Sequence, residues 1–128
     1  MSNWALGSKK HAGGERDVTV YFDSDDPTGR LTGWLRFMGK TYIAEGSWAA
    51  AGSVPGRAHS ILALLANDQQ AAPVYLAMAG TIDDGKGQPA QIELNIIRTS
   101  SIDDKQTGWG GILLPIRPSE TGIDIEPA

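Results

Sequence analysis

Apolar and polar residues alternate with a period of two along much of this chain, a pattern typical of β-strands that bury one face. The clearest example is residues 31–48, where a polar break at Gly39-Lys40 predicts the turn of a β-hairpin. We expect one side of this hairpin to face a core, formed by Leu31, Gly33, Leu35, Phe37, Tyr42, Ala44, Gly46 and Trp48.

The opposite side of the hairpin carries Thr32 and Trp34 and is too aromatic for an ordinary solvent-exposed face. Exposed aromatic patches on soluble proteins usually indicate a partner. We therefore predict a binding surface along the hairpin, formed by Trp34, Arg36, Met38, Lys40 and Tyr42.

The same alternation predicts further strands over residues 17–22, 74–82, 91–99 and 109–116. The second side of residues 74–82 is mostly small, so another backbone or layer could come close to it. Residues 57–66 are ambiguous between helix and strand, and the neighbouring strands favour a strand. As a strand, this segment would be apolar on both sides, with Ile61, Ala63 and Leu65 on one and Leu62, Leu64 and Ala66 on the other.

These elements predict an all-β domain, either a small antiparallel barrel or a sandwich of about six to eight short strands. Closure into a barrel is favoured because glycines such as Gly33, Gly46, Gly80 and Gly110 fall inside strands, where strong coiling would require them. We expect an N-terminal arm over residues 1–16, one β domain over 17–116 and a C-terminal tail over 117–128. Trp4 would anchor the arm, either on its own barrel or on a neighbouring subunit.

Composition adds several exclusions. The chain has 128 residues, enough for one domain with a core, and a formal net charge of −4, which weakens a nucleic-acid interpretation without removing it. It has no cysteine, which excludes disulfides and thiolate chemistry. The first residues do not form a signal peptide, and no apolar run approaches the about 18 residues of a membrane helix. We therefore expect a cytoplasmic protein, or one assembled into a particle made there, with no membrane partner.

The chain lacks the parts for most catalysis and metal binding. His59 and Ser60 are adjacent, so in a strand they would point to opposite faces and could not act as a base and its nucleophile. The acidic run that begins at Asp23 is typical of a turn and lacks the spacing of a calcium loop. The two histidines are too few for a typical zinc site without cysteine. We predict no enzyme, no catalytic residues, no metal and no cofactor.

Two alternative functions remain open on the sequence. The first is an OB-like protein that binds single-stranded nucleic acid, with Trp34 stacking on bases and Arg36 and Lys40 contacting phosphates. The second is a barrel that holds a small molecule in a pocket lined by Trp48 and Trp109. The segment SNWALGS and the later LTG are similar to the opening strands of avidin-like barrels, although the residues between them do not follow that pattern.

The interpretation that we favour is a non-enzymatic binding or assembly module that acts through protein–protein contacts. A homo-oligomer is expected, because the hairpin has an aromatic second side and residues 74–82 have a small one. Such a module would be compatible with a phage or mobile-element origin.

Overall fold

The structure of this protein is a computed structural model, which describes residues 4–23, 29–49, 60–71, 74–84, 89–100 and 106–124. Eight antiparallel strands follow one another around a closed barrel, and the first strand pairs with the last. The strands are β1 Trp4–Gly7, β2 Val18–Phe22, β3 Arg30–Phe37, β4 Lys40–Ala49, β5 Ser60–Asn67, β6 Val74–Asp84, β7 Pro89–Ser100 and β8 Gln106–Pro115. The prediction of a small all-β antiparallel fold is confirmed, and the fold is a barrel rather than a sandwich.

The strand order is strictly sequential, so every connection joins neighbouring strands. This order differs from that of the OB-fold, a five-stranded Greek-key barrel, on which the nucleic-acid alternative was based. In the described part of the chain, no helix has the length and apolar character needed to cross a membrane.

The N-terminal residues correct the expectation of a separate arm over residues 1–16. Trp4–Gly7 form β1, which pairs with β2 on one side and with β8 on the other and so closes the barrel. Trp4 packs against the barrel core, as it would in an arm docked on its own barrel. The residues that follow fold back at the barrel end, where Lys10 bridges to Arg16.

The interior contains one apolar cluster to which all eight strands contribute. The side of the β3–β4 hairpin that was expected to face the core does so: Leu31, Leu35 and Tyr42 are at most 3% exposed. Of the segment 57–66, which the sequence left ambiguous between helix and strand, residues 57–59 lie outside the described residues. The rest belongs to the strand Ser60–Asn67, with Leu62, Leu64 and Ala66 pointing inward. Trp48 and Trp109 are half-buried and pack against the same cluster.

Two inward-facing glycines allow neighbouring strands to approach closely. A Cβ atom on Gly33 would lie 2.1 Å from the carbonyl oxygen of Tyr21, and one on Gly46 would lie 2.0 Å from that of Ala63. Real Cβ atoms do not come so near to a backbone oxygen, so a side chain at either position would force the strands apart. Glycines at these positions therefore permit the close strand approach on which a small closed barrel depends.

The turn between β3 and β4 consists of two residues, Met38 and Gly39, with φ angles of 51° and 83°. Positive φ at both positions is the geometry of a type I′ turn, whose twist matches that of the flanking strands. Glycine adopts this conformation readily, whereas methionine does so at a cost. The turn therefore holds Met38 outward, 59% exposed, in an unfavourable backbone conformation.

The C-terminal segment, residues 116–124, lies against the outer wall of the barrel. It contains a short 3₁₀ turn at Pro118–Glu120, after which the Thr19 hydroxyl donates a 2.5 Å hydrogen bond to the carbonyl oxygen of Thr121. Thr121 and Ile123 are both buried by this packing. The predicted C-terminal tail covered residues 117–128. The structure describes residues 117–124 of it, and residues 125–128 lie outside the described residues.

Candidate binding surfaces

The outward side of the last four strands is apolar and exposed. We call it the β5–β8 outer face and define it by the large side chains Ile61, Leu65, Tyr75, Ile97, Ile112 and Leu114, with the small residues Ala63, Ala77, Ala79, Gly108 and Gly110 between them. Each of the six large side chains is between 42% and 54% exposed. Thr81, Glu93 and Asn95 lie among them. Soluble monomers rarely leave so many large apolar side chains on one face in contact with water, so this face has the character of an interaction surface.

The strand register arranges this face in rows of large and small residues. One row runs Leu65, Ala77, Ile97, Gly108 across the four strands, so that large and small positions alternate. The next row, Ala63, Ala79, Asn95, Gly110, forms a shallow central valley. The large residues form ridges and the small residues form grooves, so the ridges of a similar surface could fill these grooves.

Trp34, the central residue of the binding surface predicted from the sequence, lies elsewhere on the barrel. It points outward from β3 and packs beside Tyr21 on β2, with ring centroids 6.1 Å apart and ring planes at 39°. The C-terminal segment covers this pair with Ile123 and Ile116, which join the two aromatic residues in a small second cluster. Trp34 is therefore half-buried by its own chain.

Arg36 and Met38 continue along β3 toward the barrel end. Arg36 is half-buried and lies against Gly122 of the C-terminal segment, where an added Cβ would be 3.1 Å from the Arg36 Cδ. Gly122 has a φ of 71°, so the segment turns there in a conformation that suits glycine. Met38 stands at the tip of the hairpin and is exposed.

Tyr42 lies in the barrel core, and Lys40 is paired with a buried carboxylate. Tyr42 points into the barrel and is 3% exposed, so its expected place on the same surface as Trp34 is corrected: it lies on the opposite face of the sheet. The Lys40 ammonium donates a 2.5 Å hydrogen bond to the carboxylate of Asp68, and it also lies 5.8 Å from the centre of the Tyr42 ring. Lys40 thus joins the β3–β4 hairpin to the connection between β5 and β6.

Asp68 is a buried carboxylate that organises this connection. Besides the ammonium of Lys40, it accepts hydrogen bonds from the backbone N–H groups of Val74 at 3.1 Å and Gln70 at 3.3 Å. The hydrogen bond from Lys40 lowers the pKa of Asp68 most, burial acts in the opposite direction, and the two backbone donors lower it further. These contacts fix the connection between β5 and β6 to the β3–β4 hairpin.

A second carboxylate, Asp17, performs a similar task beside β8. It accepts a hydrogen bond of 2.8 Å from His11 Nε2 and one of 3.4 Å from the indole N–H of Trp109. The His11 hydrogen bond is the main reason that the pKa of Asp17 is lowered. These contacts hold the β1–β2 connection across a groove of about 730 Å³ beside Trp109, outside the barrel core.

The five residues predicted as one binding surface therefore occupy three environments: beneath the C-terminal segment, at the hairpin tip and within the barrel. The surface that the sequence reasoning missed is the β5–β8 outer face. Its signal in the sequence is the apolar character of both sides of residues 61–66 and the small second side of residues 74–82.

Among the described residues, no group of three or more His, Cys, Asp or Glu side chains is placed to hold a metal ion. His59 and the acidic turn at residues 24–28 lie outside the described residues. Comparison with known proteins found no matching family model, no matching curated protein and no matching solved structure.

Proposed function

We propose that this protein is a non-enzymatic assembly module that associates with further copies of itself through the β5–β8 outer face. The observation that carries the proposal is the exposure of Leu65 and Ile97, each 54%, on a wall of apolar side chains. Each fully buried side chain of this kind contributes about 1.5–3 kcal/mol relative to its exposed state. A partner that covers the face would recover this free energy.

A second copy of the chain is the occupant that fits the face. Because large and small residues alternate along its rows, a two-fold arrangement can place the ridges of one copy in the grooves of the other. Among the described residues of this face, Glu93 is charged, and Arg98 near the end of β7 is a second exposed charge. Chains with a net charge of −4 repel one another, and a nearly uncharged face reduces that repulsion where they meet.

Sheet-on-sheet packing supplies the geometry of the proposed contact. Sheets that stack face to face lie about 10 Å apart and interdigitate their side chains. The valley of Ala63, Ala79 and Gly110 leaves room for the side chains of a facing sheet. Glu93 and Asn95 lie on the β7 part of the face, where a hydrogen-bonding partner from the second copy would be needed.

The alternative functions have less support from the positions of their residues. Trp34 lies beneath the C-terminal segment and Lys40 is paired with Asp68, so Trp34, Arg36 and Lys40 do not form a continuous strip for single-stranded nucleic acid. Trp48 and Trp109, the residues of the small-molecule alternative, both pack against the barrel core, and the groove beside Trp109 is lined by Trp109 without Trp48.

Sedimentation velocity of matched variants tests the proposal. Ile97 on β7 and Ile43 on β4 are both outward isoleucines, 54% and 40% exposed, but only Ile97 belongs to the β5–β8 outer face. We expect the wild-type protein to sediment as a dimer or larger species at tens of micromolar, Ile97→Asp to sediment as a monomer and Ile43→Asp to behave as wild type. A wild-type monomer, or equal effects of both variants, would remove the proposal.

A further inference from the structure

A groove on the other side of the barrel has features of an anion site. It has a volume of about 640 Å³ and lies between the β1–β2 connection, the tip of the β3–β4 hairpin and the C-terminal segment. Two arginines line it, Arg16 from the connection and Arg36 from β3, together with Lys10. The groove is separate from the β5–β8 outer face, so what binds there is independent of self-association.

The two guanidinium groups differ in what they contact. Arg16 donates one hydrogen bond to the carbonyl oxygen of Ser8 at 2.8 Å and another to the carboxylate of Glu120 at 3.2 Å. Arg36 is half-buried, yet it has no hydrogen-bond or ion-pair partner in the described part of the chain. A guanidinium that has lost part of its hydration without gaining an acceptor is ready to bind an oxyanion.

The carboxylates that line the same groove do not form an ion pair with Arg36. Asp17 is paired with His11 and Glu120 with Arg16, which leaves Glu15 as the remaining carboxylate of the lining. Glu120 of the C-terminal segment already forms an ion pair with Arg16, one of the two arginines of the groove. This pair shows that a carboxylate fits beside a guanidinium group there. Close packing of Gly122 along the Arg36 side chain holds the second guanidinium in place.

From this arrangement we infer that the groove binds a small oxyanion, a phosphate or a carboxylate, with Arg36 as its principal ligand. The planar fork of Arg36 can donate two parallel hydrogen bonds to either group. Lys10 is a third cation in the lining, beside Arg36 and Arg16. The site would bind a free anion or an anionic group carried by a larger ligand.

Side-chain NMR of arginine Nε–H groups tests this inference directly. The 128-residue chain is titrated with inorganic phosphate and, separately, with citrate, and sodium chloride keeps the ionic strength constant. We expect a saturable shift of the Arg36 resonance, and the two titrations show which oxyanion the groove prefers. Shifts that sodium chloride alone reproduces, or that do not saturate, would overturn the inference.

Two arginines of the same strand provide the matched variants. Arg30 also lies on the outward side of β3, but it is exposed and bonds to Glu45 at 3.2 Å. We expect Arg36→Gln to weaken binding by about tenfold or more and Arg30→Gln to leave it unchanged. Equal binding by Arg36→Gln and wild type would refute the site.

A third variant keeps the inference testable if Arg36→Gln disturbs the packing of the C-terminal segment. Glu120→Gln removes the internal carboxylate and leaves Arg36 in place, so phosphate and citrate should bind several-fold more tightly to this variant than to wild type. Unchanged or weaker binding by a folded Glu120→Gln protein would contradict the assignment.

Discussion

Leu64 and Leu65 are adjacent in the chain and lie on opposite faces of β5, where Leu64 is 6% exposed and Leu65 is 54% exposed. The alternation of the strand places one leucine in the barrel and the other on the β5–β8 outer face. A β-strand that is apolar on both sides normally has a layer on each side. Among the residues that the structure describes, the inner layer covers Leu64 but no layer covers Leu65, and a second copy of the chain would supply one.

This pair yields the first prediction. Leu64→Ala should destabilise the protein by about 2–5 kcal/mol at every protein concentration, because it leaves a cavity in the core. Leu65→Ala should cost less than about 0.5 kcal/mol in dilute protein, where it affects only an exposed side chain. At high concentration it should lower the unfolding midpoint through the loss of association. Urea titrations at two concentrations measure both effects, and a concentration-independent loss for Leu65→Ala would contradict the account.

The second prediction concerns acid stability. The pKa of Asp68 is lower in the folded protein than its ordinary value, chiefly because of the Lys40 hydrogen bond. An acid with a lowered folded pKa stabilises the protein fully above its unfolded pKa of about 3.9, and the contribution disappears as the pH falls through the folded pKa.

Asp68→Asn should therefore cost about 1–3 kcal/mol at pH 7 and flatten the decline in stability below about pH 4. Lys40→Gln is the matched control, since it retains the carboxylate but removes the main cause of the lowered pKa, and the decline should begin at a higher pH. Chemical denaturation across the acid range distinguishes these outcomes. If the free energy of unfolding of Asp68→Asn declines with falling pH as it does in wild type, the Asp68 carboxylate does not cause the loss of stability in acid.

The third prediction follows from the β3–β4 turn. Met38 adopts a φ of 51°, a conformation that asparagine tolerates better than methionine. Met38→Asn should stabilise the protein by about 1 kcal/mol, because it relieves backbone strain at an exposed position. Thermal unfolding measures the gain, with Gly39→Ala as the opposite control, which should destabilise because Gly39 has a φ of 83°. A loss of stability in Met38→Asn would show that Met38 makes contacts beyond the turn.

The fourth prediction concerns the C-terminal segment, which packs over Trp34. Ile123 packs in the cluster that contains Trp34 and Tyr21, so Ile123→Ala should loosen the C-terminal segment and expose the indole. We expect red-shifted tryptophan emission and stronger acrylamide quenching in this variant. Because the chain has four tryptophans, the comparison is repeated in a Trp34→Phe background, where the difference should vanish. A difference that persists there would place the change at another indole.

Much of the fold was predictable from alternation alone. The inward sides of β3 and β6 follow directly from residue spacing, because every second position is apolar and a one-residue shift would expose them all. The glycines at positions 33 and 46 marked where strands come together. These are local signals, which one sequence carries without any knowledge of its neighbours in space.

The binding surface was less predictable, because its character depends on contacts distant in sequence. Trp34 became half-buried through Ile123, and Lys40 was bound by Asp68, neither of which is close to it along the chain. Trp4–Gly7 is too short to be recognised as a strand, and it forms one because β2 and β8 offer open edges. Alternation located the outward residues but could not identify which of them another segment covers.

Methyl NMR of the unmodified protein in the presence of a soluble paramagnetic probe tests the central claim most directly. The probe broadens methyl signals that solvent can reach and spares those that are covered. If the β5–β8 outer face is an interface between copies, Leu65, Ile97 and Ile112 should be protected at high concentration like the core leucines, while Ile43 and Met38 broaden strongly. Broadening of Leu65 and Ile97 to the same extent as Ile43 would contradict it.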